Sequence, residues 1–148
     1  MKLQEAISIC DNLQEKLSLL NTRLLANVRV PQGTKPTESP EKLFREIDAD
    51  LREWKRLSSL ILKSEAQTYY QDKSISQLLS DLKNLEWRIN FMKEVTTVAA
   101  DSHPHGDVAY VSTVDIPLLT KQINTLEELH RELSGNIQSL LMITEIDI

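Results

Sequence analysis

Apolar residues open this chain on a three-four beat: Leu3, Ala6, Cys10, Leu13, Leu17, Leu20 and Leu24. Residues so spaced fall on one stripe of an α-helix, the seam of a coiled coil. Ile7 and Leu25 widen the stripe. The pattern predicts a first helix from about Leu3 to Ala26, stopping near Asn27. Val28-Arg29-Val30 then alternates as a short strand does, and residues 31–37, rich in proline and glycine, read as a loop.

Ser39-Pro40-Glu41 marks the start of a second helix. Serine caps free N–H groups, proline suits the first helical position, and glutamate suits the positive end of the dipole. The second seam is Phe44, Ile47, Leu51, Trp54, Ser58 and Ile61, with Leu43, Leu57 and Leu60 beside it, and it fades over residues 66–70. A polar connection, Gln71-Asp72-Lys73, leads to Ser74 and Gln77, which have the spacing of a capping box. Its shortness predicts an antiparallel pairing of the second and third helices. The third seam is Ile75, Leu78, Leu82, Leu85, Ile89 and Met92, and β-branched Thr96, Thr97 and Val98 predict its end.

After a second loop, residues 100–107, the segment Val108 to Thr113 reads as a strand. Its partner is either Val28–Val30, the favoured choice, or the stretch 143–148. Asp115 and Pro117 open a fourth helix whose seam is Leu119, Ile123, Leu126, His130, Leu133, Ile137 and Leu140, with Leu118 and Leu129 alongside. Gly135 interrupts that helix at a cost of ~1 kcal/mol relative to alanine, and marks either a kink or a close approach of another backbone. The fold expected is mainly α: an elongated antiparallel bundle or coiled coil of four helices with a short two-stranded β element.

Composition narrows the picture. A chain of 148 residues, 41% hydrophobic and 5% aromatic, suits a single helical domain over 1–148 with an aliphatic core. Three glycines and five prolines are too few for the turns of an all-β fold. The net charge of −5 gives no bulk attraction to phosphate. Basic Arg52, Lys55, Arg56 and Lys63 are interleaved with Glu46, Asp48, Asp50 and Glu53, which argues against a nucleic-acid partner. The lone cysteine, Cys10, lies on a seam and reads as a small buried hydrophobe. Charged and polar residues interrupt the opening Met1-Lys2-Leu3-Gln4-Glu5, unlike a signal peptide, and no apolar run approaches the ~20 residues of a membrane span. The expected compartment is the cytoplasm.

Apolar positions beyond the seams, at Ile7, Leu25, Leu57, Leu60, Leu118 and Leu129, predict a homo-oligomer, most simply a twofold dimer. A monomeric four-helix bundle is the alternative. Trp54, Trp87, Leu118, Leu129 and His130 are the candidate interface residues for copies of the chain or a protein partner. The loop containing Asp101, His103, His105 and Asp107 holds the one cluster of metal-ligand types, yet it matches no standard zinc spacing, and proline and glycine there make an ordinary polar turn. His130 on a seam reads first as a partly buried residue that bonds a neighbour. No phosphate loop, HExxH, CxxC or GxSxG is present, and neither a catalytic residue nor a cofactor is expected.

The chain resembles a family of small bacterial helical proteins often named septicolysin. The resemblance rests on Met1-Lys2-Leu3, Glu5-Ala6, Arg23-Leu24, Asn27, Val30, Gly33, Pro36, Glu38 and Pro40. In the second half it rests on Val111, Thr113-Val114-Asp115, Leu119, Lys121-Gln122, Leu126, Arg131-Glu132-Leu133 and Ile137-Gln138. It implies a mostly helical, cytoplasmic, oligomeric protein of unknown function. Against the family pattern, Leu62 and Glu65 stand where an Asn occurs, His103 to His105 replace a Tyr-Ser-Arg, and Leu141-Met142 replace an Asn-Trp. The function expected is that of an oligomeric structural or interaction protein, a scaffold or a binder of a macromolecular partner. The alternative is an enzyme or metal-dependent module at an oligomer interface, using the His103/His105 loop or His130.

Overall fold

A computed structural model describes residues 1–147. The order of elements is α1 (Leu3–Asn27), α2 (Pro40–Gln67), β1 (Tyr69–Tyr70), β2 (Lys73–Ser74), α3 (Ile75–Ala100) and α4 (Ile116–Ile143). The chain is therefore mainly α, with one two-stranded antiparallel sheet among the described residues. It divides into two compact units, residues 1–68 with 141–147, and residues 69–140.

In the first unit α1 and α2 pack antiparallel. Successive partners run in opposite directions along the two helices: Arg23 with Glu38, Leu20 and Leu24 with Leu43 and Ile47, Lys16 with Asp50. The predicted α1 seam is the buried one: Leu3, Ala6, Cys10, Leu20 and Leu24 are buried, and Leu13 and Leu17 half-buried. Leu25, expected to widen that stripe, is exposed. The α2 seam follows expectation at Ile47, Trp54, Ser58 and Ile61 and departs from it at two positions. Leu43, Leu57 and Ile61 are its buried residues, while Phe44 and Leu51 face solvent. Asp50 is half-buried on the inward side, with Lys16 Nζ of α1 2.9 Å from its Oδ2.

Asn27 closes the connection between these helices. It is buried, donates from Nδ2 to the Arg23 carbonyl (2.8 Å) and accepts at Oδ1 from the Glu38 N–H (3.0 Å). Arg23 donates from Nε to both Glu38 carboxylate oxygens at 3.1 and 3.0 Å, and also from its terminal nitrogen. Between these anchors, Pro31 to Thr34 form a turn in which Gly33 takes φ 83°, a conformation that favours glycine. Val28–Val30 is exposed and is not a strand. Pro40 opens α2 as expected, but the Ser39 hydroxyl donates to Glu41 (2.9 Å) instead of capping an N–H.

The segment after α4 returns to the start of α1. The Leu3 N–H donates to the Thr144 carbonyl (2.8 Å), the Ile146 N–H to the Met1 carbonyl (2.9 Å), and Leu141 and Ile146 are buried. Lys2 Nζ lies 2.6 Å from Glu145, and Met1's ammonium 3.0 Å from it. The stretch after residue 143 thus bridges to Lys2 rather than to Val108–Thr113, as far as residue 147; Ile148 lies outside the described residues.

In the second unit Tyr69↔Ser74 and Tyr70↔Lys73 form a hairpin through Gln71, which adopts φ 58°. The expected capping box is present: the Ser74 N–H donates to Gln77 Oε1 (2.9 Å) and the Gln77 N–H to Ser74 Oγ (3.2 Å). Helix α3 runs on past the β-branched residues to Ala100, where the Thr96 and Thr97 hydroxyls donate back to the carbonyls of Met92 and Lys93. Asp115 Oδ1 accepts the Leu118 N–H (3.1 Å), starting α4 as predicted. Gly135 meets no other group within 4 Å, so it marks no close approach. Val108–Thr113 is not a strand: the segment is exposed, and only an isolated bridge joins His105 to Val108 across Gly106. An alternating sequence needs a neighbouring edge for its N–H and C=O groups.

Two predictions test this account. Replacing Asn27 by alanine leaves the Glu38 N–H unpaired and should cost about 1–3 kcal/mol in urea denaturation. Glu65 is held above its ordinary carboxyl value of 4.5 by burial on α2. A raised acid stabilises the fold below its unfolded pKa and loses that contribution as pH rises through the folded value. Glu65→Gln should therefore raise the urea midpoint at about pH 7 and leave it little changed near pH 3.

Candidate functional site

In the second unit α3 and α4 pack antiparallel, with Lys93 Nζ 2.7 Å from Glu127 and His130 Nε2 3.2 Å from Glu86. The facing seams are those predicted. Ile75, Leu78, Ile89, Ile123 and Ile137 are buried, and Leu82, Leu85, Met92, Leu119, Leu126 and Leu133 half-buried. The two sides of this pair differ in chemistry. One is a shallow groove of about 580 Å³ lined by Glu86, Ile89, Asn90, Lys93, Glu127, His130 and Arg131. Glu86 pairs with His130 and Lys93 with Glu127, and hydrogen bonding to Lys93 holds the Glu127 carboxyl below its ordinary range. His130 belongs to this polar side, half-buried and hydrogen-bonded to Glu86. An imidazole oriented by a carboxylate can move a proton, but no hydroxyl or thiol nucleophile lines this groove.

The opposite side carries Arg88 and Met92 of α3 with Gln122, Thr125 and Leu126 of α4. It continues along α3 over Asn84, Trp87 and Phe91. Leu118 precedes Gln122 by about a turn and Leu129 follows Thr125 by about a turn, so both flank the same side. Both are about half exposed. The most marked feature lies on the outer face of α3. Trp87 (55% exposed), Phe91 (61%), Val95 (47%) and Val98 (75%) recur at helical spacing opposite the buried Ile89. Sequence reading placed Trp87 off the seam but missed Phe91, Val95 and Val98. The signal was their three-four spacing on a second face, which a search for one seam per helix passes over.

Other candidates fall elsewhere. Trp54 lies in the first unit, half-buried, and its indole N–H has no hydrogen-bond partner. In the loop after α3, His103 Nδ1 lies 2.7 Å from Asp101 Oδ1, and the His103 backbone N–H donates to the same oxygen (3.0 Å). Those bonds, the backbone one first, hold the Asp101 carboxyl below its ordinary value. His105 instead stacks on Tyr110, ring centroids 6.1 Å apart. Asp101, His103, His105 and Asp107 therefore do not converge, and no metal-holding group of three or more His, Cys, Asp or Glu forms among the described residues. Cys10 is buried, and burial, then Asp11 and Glu53, push its thiol pKa up, away from reactivity. No helix among the described residues is long and apolar enough to cross a membrane.

Residues 11–146 match the model of a family of unknown function (DUF6847), and the chain belongs to that family. A search of curated proteins finds no match. The fold is similar to that in the crystal structure of a functionally unknown conserved protein from Corynebacterium diphtheriae, with a TM-score of 0.94 and 23% identity over 99% of each chain. That likeness shows the fold alone.

The two faces of α3 separate by mutation. Ile89→Ala should cost about 2–5 kcal/mol of stability because it empties a packed position. Phe91→Ala, on the solvated face, should change the urea-derived stability by less than about 0.5 kcal/mol in the monomeric state.

Proposed function

We propose that this member of the family is an interaction protein of the cytoplasm that works as a homo-oligomer, a helical scaffold on which copies of itself and a protein partner assemble. One observation carries the reading: four large apolar residues, Trp87, Phe91, Val95 and Val98, stay exposed on the outer face of a helix whose inner face is already used by α4, Val95 and Val98 there lining a groove of about 650 Å³ with Tyr110 to Val114. A helix with one neighbour needs one apolar stripe, and its outer face is ordinarily polar. A contiguous exposed apolar patch marks an interaction surface. The resemblance to the septicolysin-named family supports the same proposal, since it implies a mostly helical oligomer. The alternative, an enzyme or metal-dependent module, draws only on the isolated His130–Glu86 and His103–Asp101 pairs.

Light scattering of the full chain over a range of concentrations tests the reading. Masses rising to a multiple of 16.9 kDa are expected. A value of 16.9 kDa throughout overturns the homo-oligomer.

A further inference from the structure

Resting on that self-association, we propose that the outer face of α3 is a twofold interface with α3 of a second copy, the two helices antiparallel and crossing at Trp87 and Phe91. The stripe commits to a copy of itself because its charges are self-complementary. Lys83 and Glu94 are eleven residues apart, which on a helix is about three turns and about 16 Å along a single border of the stripe. Among the described residues neither takes part in an ion pair. When two helices pack antiparallel about a twofold axis, each border faces the same border of the partner in reverse order. Lys83 of one copy then meets Glu94 of the other, twice. The midpoint of that pairing lies between residues 88 and 89, and the same register brings Trp87 within one residue of the partner's Phe91. Parallel packing sets each border against the opposite one, where Lys83 meets Arg88, a like charge.

The extent of the surface fits the same occupant. A standard interface buries about 800 Å² per partner, more than four side chains on one helix supply. The flank of Arg88 and Met92 with Gln122 and Thr125 of α4 continues the contact, and Leu118 and Leu129 lie along it. Aromatic anchors in the centre and charges at the rim are the usual anatomy of such a contact.

Sedimentation equilibrium of the full chain, with circular dichroism to confirm helix content, tests the arrangement. Lys83→Glu and Glu94→Lys should each weaken the dimer about tenfold at low salt, and the double exchange should restore it to within about threefold of the original. Phe91→Glu should leave a monomer. Partial recovery in the double exchange, with both single variants weakened, supports the antiparallel register. A dimer indifferent to Phe91→Glu overturns the α3 interface and leaves self-association standing on another face. Loss of the dimer by Phe91→Glu, without reciprocal rescue by the charge exchange, overturns the antiparallel register. A chain monomeric at every concentration removes this interface and the oligomeric reading together.

Discussion

Each pair of helices is held by burial of one narrow seam per helix, and everything else follows from how little of a helix one neighbour can cover. A seam occupies a stripe somewhat wider than about 100° of the helix circumference. In the first unit that stripe on α1 is filled by Leu3, Ala6, Cys10, Leu20 and Leu24. In the second, Ile75, Leu78 and Ile89 of α3 meet Ile123 and Ile137 of α4. Once those are buried, any further large apolar side chain must face solvent or another molecule. That is the position of Trp87, Phe91, Val95 and Val98, and the proposed self-association rests on it.

Polar groups do a different job: they fix connections. Asn27 ties the last turn of α1 to the residue before α2's cap. Ser74 and Gln77 fix the start of α3, Asp115 the start of α4, and Lys2 with Glu145 the return of the chain to α1. Because Glu38 and Glu145 have carboxyl pKa values lowered by their cationic partners, both contribute stability above the ordinary value of 4.5 and lose it as pH falls through their folded pKa. Glu65, raised by burial, acts in the reverse direction. The acid side of the stability curve is thus a contest between paired carboxylates at the helix connections and one half-buried carboxylate without such a partner.

Periodicity alone revealed the helices and three of the four seams, because a repeated inward stripe is a long-range signal that survives local exceptions. On α2 it placed Phe44 and Leu51 on the seam, and both are exposed. Phe44 and Leu51 are larger and more apolar than Leu43 and Asp50 taken together, and nothing in the linear pattern says that Lys16 of another helix will stand beside Asp50. The expected strand at Val108–Thr113 failed for a related reason: alternation is local, whereas a sheet partner is not. The real strands, Tyr69–Tyr70 and Lys73–Ser74, are too short for alternation to register. Among the candidate site residues, Trp87, Leu118 and Leu129 come to the apolar side of one helical pair, and His130 to its polar side. The loop residues Asp101, His103, His105 and Asp107 were legible as chemistry by type but not by geometry, since backbone turns at Gly106 send His105 to Tyr110 rather than to His103.

The contrast between the two sides of α3 and α4 is what the proposed self-association draws on. On the polar side, Lys93 pairs with Glu127 and His130 with Glu86 in the open, where such pairs hold little energy. On the outer face of α3, Trp87 and Phe91 remain exposed, as do Val95 and Val98, which line a groove with Tyr110 to Val114. Helix propensity does not explain them, because valine, phenylalanine and tryptophan are poorer helix formers than the charged residues they displace. Side chains that serve neither the helix nor its neighbour are accounted for by a surface outside the hairpin, and the reversed order of Lys83 and Glu94 along the same border makes another copy of α3 a fitting one.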